Sequence, residues 1–172
     1  KWTWRHKKSG STRSFQKDFI TSLRQDLQGK SLTVTDVHKS AKKTYAPGLY
    51  DLTELQRDAN QKFGYSAKET LNIMQRLYEN HKVLTYPRTD SRYIGTDVVP
   101  TIKERLKACN QGPYKAYIPA LLRSEIRPNR SFVDDKKVSD HHAIIPTEEA
   151  AIFSNMTNEE RKIYDLVVRR FL

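Results

Sequence analysis

Lys82-Val83-Leu84-Thr85-Tyr86-Pro87-Arg88-Thr89-Asp90-Ser91-Arg92-Tyr93 places a tyrosine and an arginine on either side of a proline. In an extended segment side chains alternate faces, so this spacing predicts Tyr86 and Arg88 on one face and Pro87 on the other. Proline has no N–H to give to a ladder, which confines the segment to a sheet edge and leaves its outer face open to a ligand. An oxygen nucleophile beside a fixed cation suits phosphate. The same pair on an ordinary edge strand would mean packing and a solvated charge.

The residues before this stretch predict what delivers it. Asp51-Leu52-Thr53-Glu54 reads as an N-cap acid with Glu at the third helical position, opening a helix that carries Leu52, Leu55, Ala59 and Phe63 to Gly64. Ser66-Ala67-Lys68-Glu69 is a second capping box, and its helix is expected to bury Leu71, Met74, Leu77 and Tyr78 before ending near Glu79-Asn80-His81. Helix, Gly-containing turn, helix and strand is the order of a winged helix-turn-helix unit. One function class follows directly: a non-catalytic basic DNA-binding module with the helix over 66–80 as its recognition element. That helix offers Lys68, Gln75 and Arg76, but Glu69 and Glu79 dilute them, so base readout is weakly encoded.

After the tyrosine stretch, Thr96 is expected to cap a helix with Val99, Ile102 and Leu106 inward and Pro100 in its first turn. Lys103, Arg105 and Lys107 are expected on its solvated face. Gly112-Pro113 breaks the chain, and Tyr117–Leu122 reads as a short apolar helix. A charged loop leads to Asp140-His141-His142-Ala143-Ile144-Ile145-Pro146-Thr147. Adjacent histidines beside an acid can be metal ligands, half of a phosphoesterase site, phosphate donors or a plain loop edge; no supporting acid and His spacings form a metal cluster elsewhere. Thr157-Asn158-Glu159-Glu160 is a third capping box, opening a helix with Ile163, Tyr164, Val167, Val168 and Phe171 toward the core. Arg169 and Arg170 are accounted for by the helix dipole.

Upstream of Pro47-Gly48, where a domain boundary is expected, Trp2-Thr3-Trp4 suggests a short strand. Phe15, Phe19, Leu23 and Leu27 suggest an amphipathic helix stopped by Gly29, and Leu32, Val34 and Val37 a further strand. Gly29-Lys30-Ser31 imitates the tail of a phosphate-binding P-loop, but Arg24 stands where the motif needs Gly and no helix is expected to follow. Nucleotide binding there is rejected.

Thirty-one Lys and Arg against 20 Asp and Glu leave a net charge of +11, spread along 172 residues, which favours a polyanionic partner. The single Cys109 excludes an internal disulfide and a multi-cysteine zinc site. No apolar run reaches the length of a membrane span, and the first residues lack the apolar centre of a signal peptide, so a soluble, cytoplasmic chain is expected. It begins without Met and ends inside a helical pattern, and is expected to be cut from something longer.

Tyr86-Pro87-Arg88-Thr89-Asp90-Ser91 strongly resembles the active-site tyrosine motif of type IA DNA topoisomerases, and most of all the topoisomerase III branch. Asp140–Thr147 resembles the same family's histidine string, and Gln75-Arg76-Leu77-Tyr78-Glu79 its Gln-x-x-x-Glu helix, with a link from Glu79 to Tyr86 one residue longer than in type I relatives. The likeness is close over residues 45–172 and loose before them. It implies a mainly α fold with short β elements: a winged-helix-like tyrosine domain over 47–172 and part of the strand-containing gate, or arch, over 1–46. It implies Tyr86, Arg88 and His141 as catalytic residues, with His142, Gln75, Glu79, Thr85, Thr89 and Asp90 supporting them or touching DNA. The implied partners are single-stranded DNA and the remaining domains of one polypeptide. One of those is an acidic domain that binds Mg²⁺ for the full-length enzyme; this chain itself is expected to hold no metal or cofactor. The implied setting is the nucleoid.

Overall fold

The computed structural model describes residues 3–31 and 33–172. The chain divides into two compact units, Lys1–Thr44 and Tyr45–Leu172.

In the first unit, helix α1 spans Lys17–Leu27 and buries none of its residues. Gly29 follows it at φ +78°, a left-handed turn that glycine adopts without a Cβ clash. Phe15 lies before the helix and is 98% exposed, so the expected stripe is short by its first member. The Trp4 ring meets Phe19 at 5.5 Å. Trp2 and Leu32, on which the expected strands partly rest, lie outside the described residues; Val34 and Val37 are exposed and in no regular element.

In the second unit, α2 (Leu52–Phe63), α3 (Ala67–Glu79) and α6 (Asn158–Phe171) pack on one another. The three expected N-caps form: the Asp51 side chain accepts from the Glu54 N–H, and Ser66 with Glu69 and Thr157 with Glu160 make reciprocal capping boxes. Each cap satisfies N–H groups a helix start leaves unpaired, at a worth of about 1 kcal/mol. Gly64 ends α2 at φ +74° and makes the tight turn into α3. Leu55, Ala59, Met74, Leu77, Ile163 and Val167 fill the space between the helices. A smaller layer, α4 (Ile102–Ala108) on α5 (Ile118–Arg123), contributes Ile102, Leu106 and Ile118.

The fold is mainly helical, and β structure among the described residues is limited to isolated bridges: Tyr50 with Ile144, Leu84 with Pro146, and Ile94 with Val133. The expected tyrosine strand is therefore shorter than the alternation suggested. Its pairing covers Val83–Thr85, where the Thr147 N–H reaches the Val83 carbonyl and the Thr85 N–H reaches Ile145, each at 3.0 Å. A bend at Pro87, which has no N–H to continue the ladder, ends it.

Other expectations need correction. Thr96 caps no helix: its N–H and hydroxyl both go to the Asp135 carboxylate, at 2.7 and 3.0 Å, and a 3₁₀ turn at Val99–Thr101 leads into α4 instead. Arg105 is buried, not solvated. Its guanidinium donates to Thr101 Oγ1 and the Pro146 carbonyl and pairs with Glu148, each at 2.8 Å. Arg170 does more than complement a dipole: it donates to the Gly48 carbonyl and to Asp58 and lies 4.0 Å over the Tyr50 ring.

Candidate active site

The segment Ala143–Thr147 is the common partner of three stretches. The Ala143 N–H meets the Tyr93 carbonyl and the Ile144 N–H meets Tyr50, both at 2.8 Å, while Ile145 and Thr147 pair with the residues before Tyr86. Ala143, Ile144 and Ile145 are each at most 1% exposed, so these backbone groups have no water to fall back on and the pairing is obligatory.

Two threonines extend the attachment on either side of the tyrosine. Thr85 Oγ1 donates to the Ala143 carbonyl and accepts from the Ile145 N–H. Thr89 Oγ1 donates to the His141 carbonyl at 3.0 Å and accepts from the Ser91 N–H at 3.1 Å. A hydroxyl carries one donor and acceptor capacity, and both threonines use both. The result sets the His141 ring against Tyr86 with centroids 4.3 Å apart at 40°.

Tyr86 is partly exposed and opens on a cavity of about 190 Å³ whose polar wall is Asp97, Asp140, His141 and His142. Arg88 is exposed and lines a different cavity, with Thr89, Asp90, Asp140 and His141. Tyr86 and Arg88 thus open on two neighbouring spaces on either side of the Pro87 bend, and Asp140 and His141 border both. Among the described residues no side chain hydrogen-bonds to the Arg88 guanidinium. Asp90 lies 3.5 Å from Ser139 Oγ, and His142 Nδ1 lies 2.7 Å from the Ala143 carbonyl, which calls for the proton on Nδ1.

Helix α3 closes the other flank. Gln75, Tyr78 and Glu79 share one helical face, with Gln75 Nε2 donating to Glu79 Oε1 at 2.5 Å. Tyr78 is not the core residue its spacing suggests. It is 37% exposed, and its ring meets Tyr86 edge to face at 5.5 Å and 81°.

The sequence model of the DNA topoisomerase family matches residues 2–172. The chain belongs to that family. It is 62% identical over 172 residues to DNA topoisomerase 3 of Bacillus cereus, covering all of this chain and 24% of that protein. It is 53% identical over 170 residues to DNA topoisomerase 3 of Bacillus subtilis, covering 99% of this chain and 23% of the relative. The chain thus spans about a quarter of the length of these topoisomerases. The likeness that the motifs showed closely over 45–172 extends into the first unit. A full-length topoisomerase I from Thermotoga maritima aligns with 75% of this chain and 20% of its own at 26% identity and a TM-score of 0.47.

Within this topoisomerase chain, the arrangement at α3's end was not foreseen from spacing. Glu160, 3% exposed, accepts from Arg76 Nε at 2.6 Å and the Thr157 N–H at 2.8 Å, with His81 Nε2 at 3.3 Å. Burial works against its charge, but the Arg76 and Thr157 hydrogen bonds outweigh it and hold the carboxyl below its ordinary range. Lys82 follows at φ +57°, turning the chain toward Tyr86, with its carbonyl held by Thr147 Oγ1 at 2.6 Å. Ser91 was also missed: it is 5% exposed and ties the tyrosine segment to the Lys137 carbonyl at 2.8 Å. The capping-box spacing was the one signal for Glu160; nothing local marks its partners Arg76 and His81.

Proposed function

We propose that Tyr45–Leu172 is the active-site tyrosine domain of a type IA topoisomerase of the topoisomerase III branch, winged-helix-like in its α2–turn–α3 and following extended segment, and that the first unit belongs to the gate. Tyr86 Oη attacks a phosphodiester of single-stranded DNA, forming a 5′-phosphotyrosyl bond as the bond to the 3′ oxygen breaks. The phenol loses its proton and the departing 3′ oxygen gains one. Reversal rejoins the strand, and because one phosphoester replaces another, no ATP is consumed.

A free tyrosine titrates near pH ~10 and is a weak nucleophile at neutral pH, so charge must be stabilised around it. Arg88 can hold two phosphate oxygens in its planar fork, which an ammonium does less well. His141 donates to the same phosphate as negative charge builds. Thr85 and Thr89 hold these groups in register, Asp90 sits beside Arg88, Gln75 and Glu79 flank the approach from α3, and His142, its Nδ1 proton held by the Ala143 carbonyl, lines the space beside the phenol. What carries this assignment is the ring contact of His141 on Tyr86 at 4.3 Å, which joins two motifs far apart in the chain.

Among the described residues no group of three or more His, Cys, Asp or Glu is placed to hold a metal ion. The Mg²⁺ that the resemblance implies does not fit these residues, and no step here runs through it. An acidic half of the site, carried by another domain of the same polypeptide, would supply it, and the nucleoid would be the setting. Among the described residues no helix is long and apolar enough to cross a membrane.

The test is incubation of the chain with an end-labelled single-stranded oligonucleotide and Mg²⁺, alone and with the acidic domain of a relative. Weak binding alone, and a covalent adduct only in the mixture, is expected. An adduct from the chain alone overturns the half-site, and an adduct surviving Tyr86→Phe overturns the nucleophile. A purely DNA-reading winged helix is disfavoured because Arg76, one of the three side chains that helix offers, is engaged by Glu160. Sequence-specific duplex binding would restore it.

A further inference from the structure

We infer that Tyr78 and Lys82 form a nucleotide subsite next to the tyrosine, in which a base stacks on Tyr78 and the adjoining backbone phosphate meets Lys82. The inference rests on the function proposed above. Tyr78, Glu79, Lys82, Thr85, Tyr86 and His142 line an open groove of about 600 Å³. That lies within the ~300–1,000 Å³ typical of small-ligand sites.

The chemistry of the groove selects the ligand. A large aromatic side chain left 37% exposed beside a nucleophile, rather than turned into the core beside Leu77, presents a stacking surface to solvent. Its contact with Tyr86 is edge to face, at 81°. A base laid flat on Tyr78 therefore stands roughly perpendicular to the Tyr86 ring and does not displace it.

Charge divides the groove. Glu79 repels phosphate, so the part of the groove near it favours a neutral base, and its Oε1 is already held by Gln75. Lys82 supplies the opposite sign. It is exposed, and among the described residues its ammonium makes no hydrogen bond or ion pair. Its left-handed backbone, with the carbonyl pinned by Thr147, holds it at the mouth of the groove three residues before Thr85. An aromatic face for a base and a free cation for the backbone are the two elements of sequence-tolerant single-strand binding.

The experiment places the fluorescent base 2-aminopurine at successive positions of a single-stranded oligonucleotide and titrates each with the chain. Stacking on Tyr78 quenches the probe at one position. Tyr78→Phe should keep the quenching, while Tyr78→Leu should abolish it and weaken binding about 5- to 150-fold. Lys82→Gln should weaken binding and flatten its salt dependence by about one phosphate contact, leaving the quenching at saturation. If wild type binds and Tyr78→Leu binds and quenches equally well, the subsite is overturned while the proposed function stands. If wild type does not bind single strands at all, both are overturned. Circular dichroism separates a lost subsite from a lost fold, and Tyr86→Phe, which removes the nucleophile, should leave the quenching intact.

Discussion

The Thr89 hydroxyl donates to the His141 carbonyl at 3.0 Å, across 52 residues of sequence. It also receives the buried Ser91 N–H. Thr89 is 8% exposed, so Thr89→Val strands a carbonyl and an amide together, at a cost of about 1–3 kcal/mol for each group left unpaired. Thr89→Ser should retain most of the stability. Urea denaturation of the three proteins checks this, and equal midpoints for Val and wild type would sink the clamp. Because the bond sets where His141 stands, adduct formation should fall further in Thr89→Val than the folded fraction accounts for.

Glu160 ties the start of α6 to the end of α3. Its carboxyl is held below its ordinary value, so the stabilisation it gives is fully present above the unfolded carboxylate range and is lost as pH falls through the lowered folded value. Thermal melts of wild type and Glu160→Gln between pH 7 and pH 3 should differ most at neutral pH and converge on the acid side. A gap that widens on acidification contradicts the sign.

Lys82 holds φ +57°, where a side chain other than glycine is strained by roughly 1 kcal/mol. Lys82→Gly should raise the unfolding free energy by about 0.5–1 kcal/mol, and it should bind single-stranded DNA less well. A variant gaining stability while losing affinity would be a site residue kept at a structural cost. Loss of stability would mean that the lysine side chain contributes packing that its exposure conceals.

Much of this was legible along the chain, and the reasons differ by residue. Caps depend on neighbours three positions apart, so Asp51, Ser66 and Thr157 were readable with their helices. The pairing of Tyr86 with His141 was not a matter of spacing; only the likeness of two strings to one family brought them together. Arg105 and Tyr78 went wrong for one reason: helical periodicity tells which residues share a face but not what that face meets. The face of Arg105 meets the Pro146 carbonyl, and Tyr78 meets another tyrosine instead of the core. The strand at Tyr86 was overdrawn because alternation continues through Pro87 in the sequence while the hydrogen-bond ladder cannot.

Arg170 reaches from the last turn of α6 to Asp58 on α2 at 2.8 Å, and the Tyr50 hydroxyl donates to the same carboxylate at 2.5 Å. Burial, with Asp58 beside it, pushes the Tyr50 phenol well above its ordinary value, so it remains a proton donor throughout the working range. Both charges are largely shielded, at 14% and 21% side-chain exposure. Arg170→Met should therefore cost about 1–3 kcal/mol, because Asp58 loses its charge-assisted partner and keeps only the Tyr50 hydroxyl. The double variant Arg170→Met, Asp58→Asn should recover a good part of that loss in calorimetry. No recovery would show that Arg170 acts through its contact with the Tyr50 ring or the Gly48 carbonyl.

Arg88 and Tyr86 open on different cavities with Asp140 and His141 bordering both, so a phosphate held by Arg88 as proposed would reach the phenol past the imidazole and the Asp140 carboxylate. If Arg88 holds the phosphate through its planar fork, Arg88→Lys keeps the charge but loses one of two parallel hydrogen bonds. In the full-length enzyme, Arg88→Lys should keep single-strand affinity within a few-fold, since one cation remains, and lower the cleavage rate by about 10- to 100-fold, the worth of about 1.4–2.7 kcal/mol of transition-state contact. His141→Ala should lower cleavage at least as much with less effect on affinity, because an imidazole donor to a developing charge acts mainly in the transition state. Single-turnover cleavage beside equilibrium binding separates the two. If His141→Ala cleaved normally, its place against Tyr86 would be packing alone, and the phosphate would have to approach from the side of Asp97.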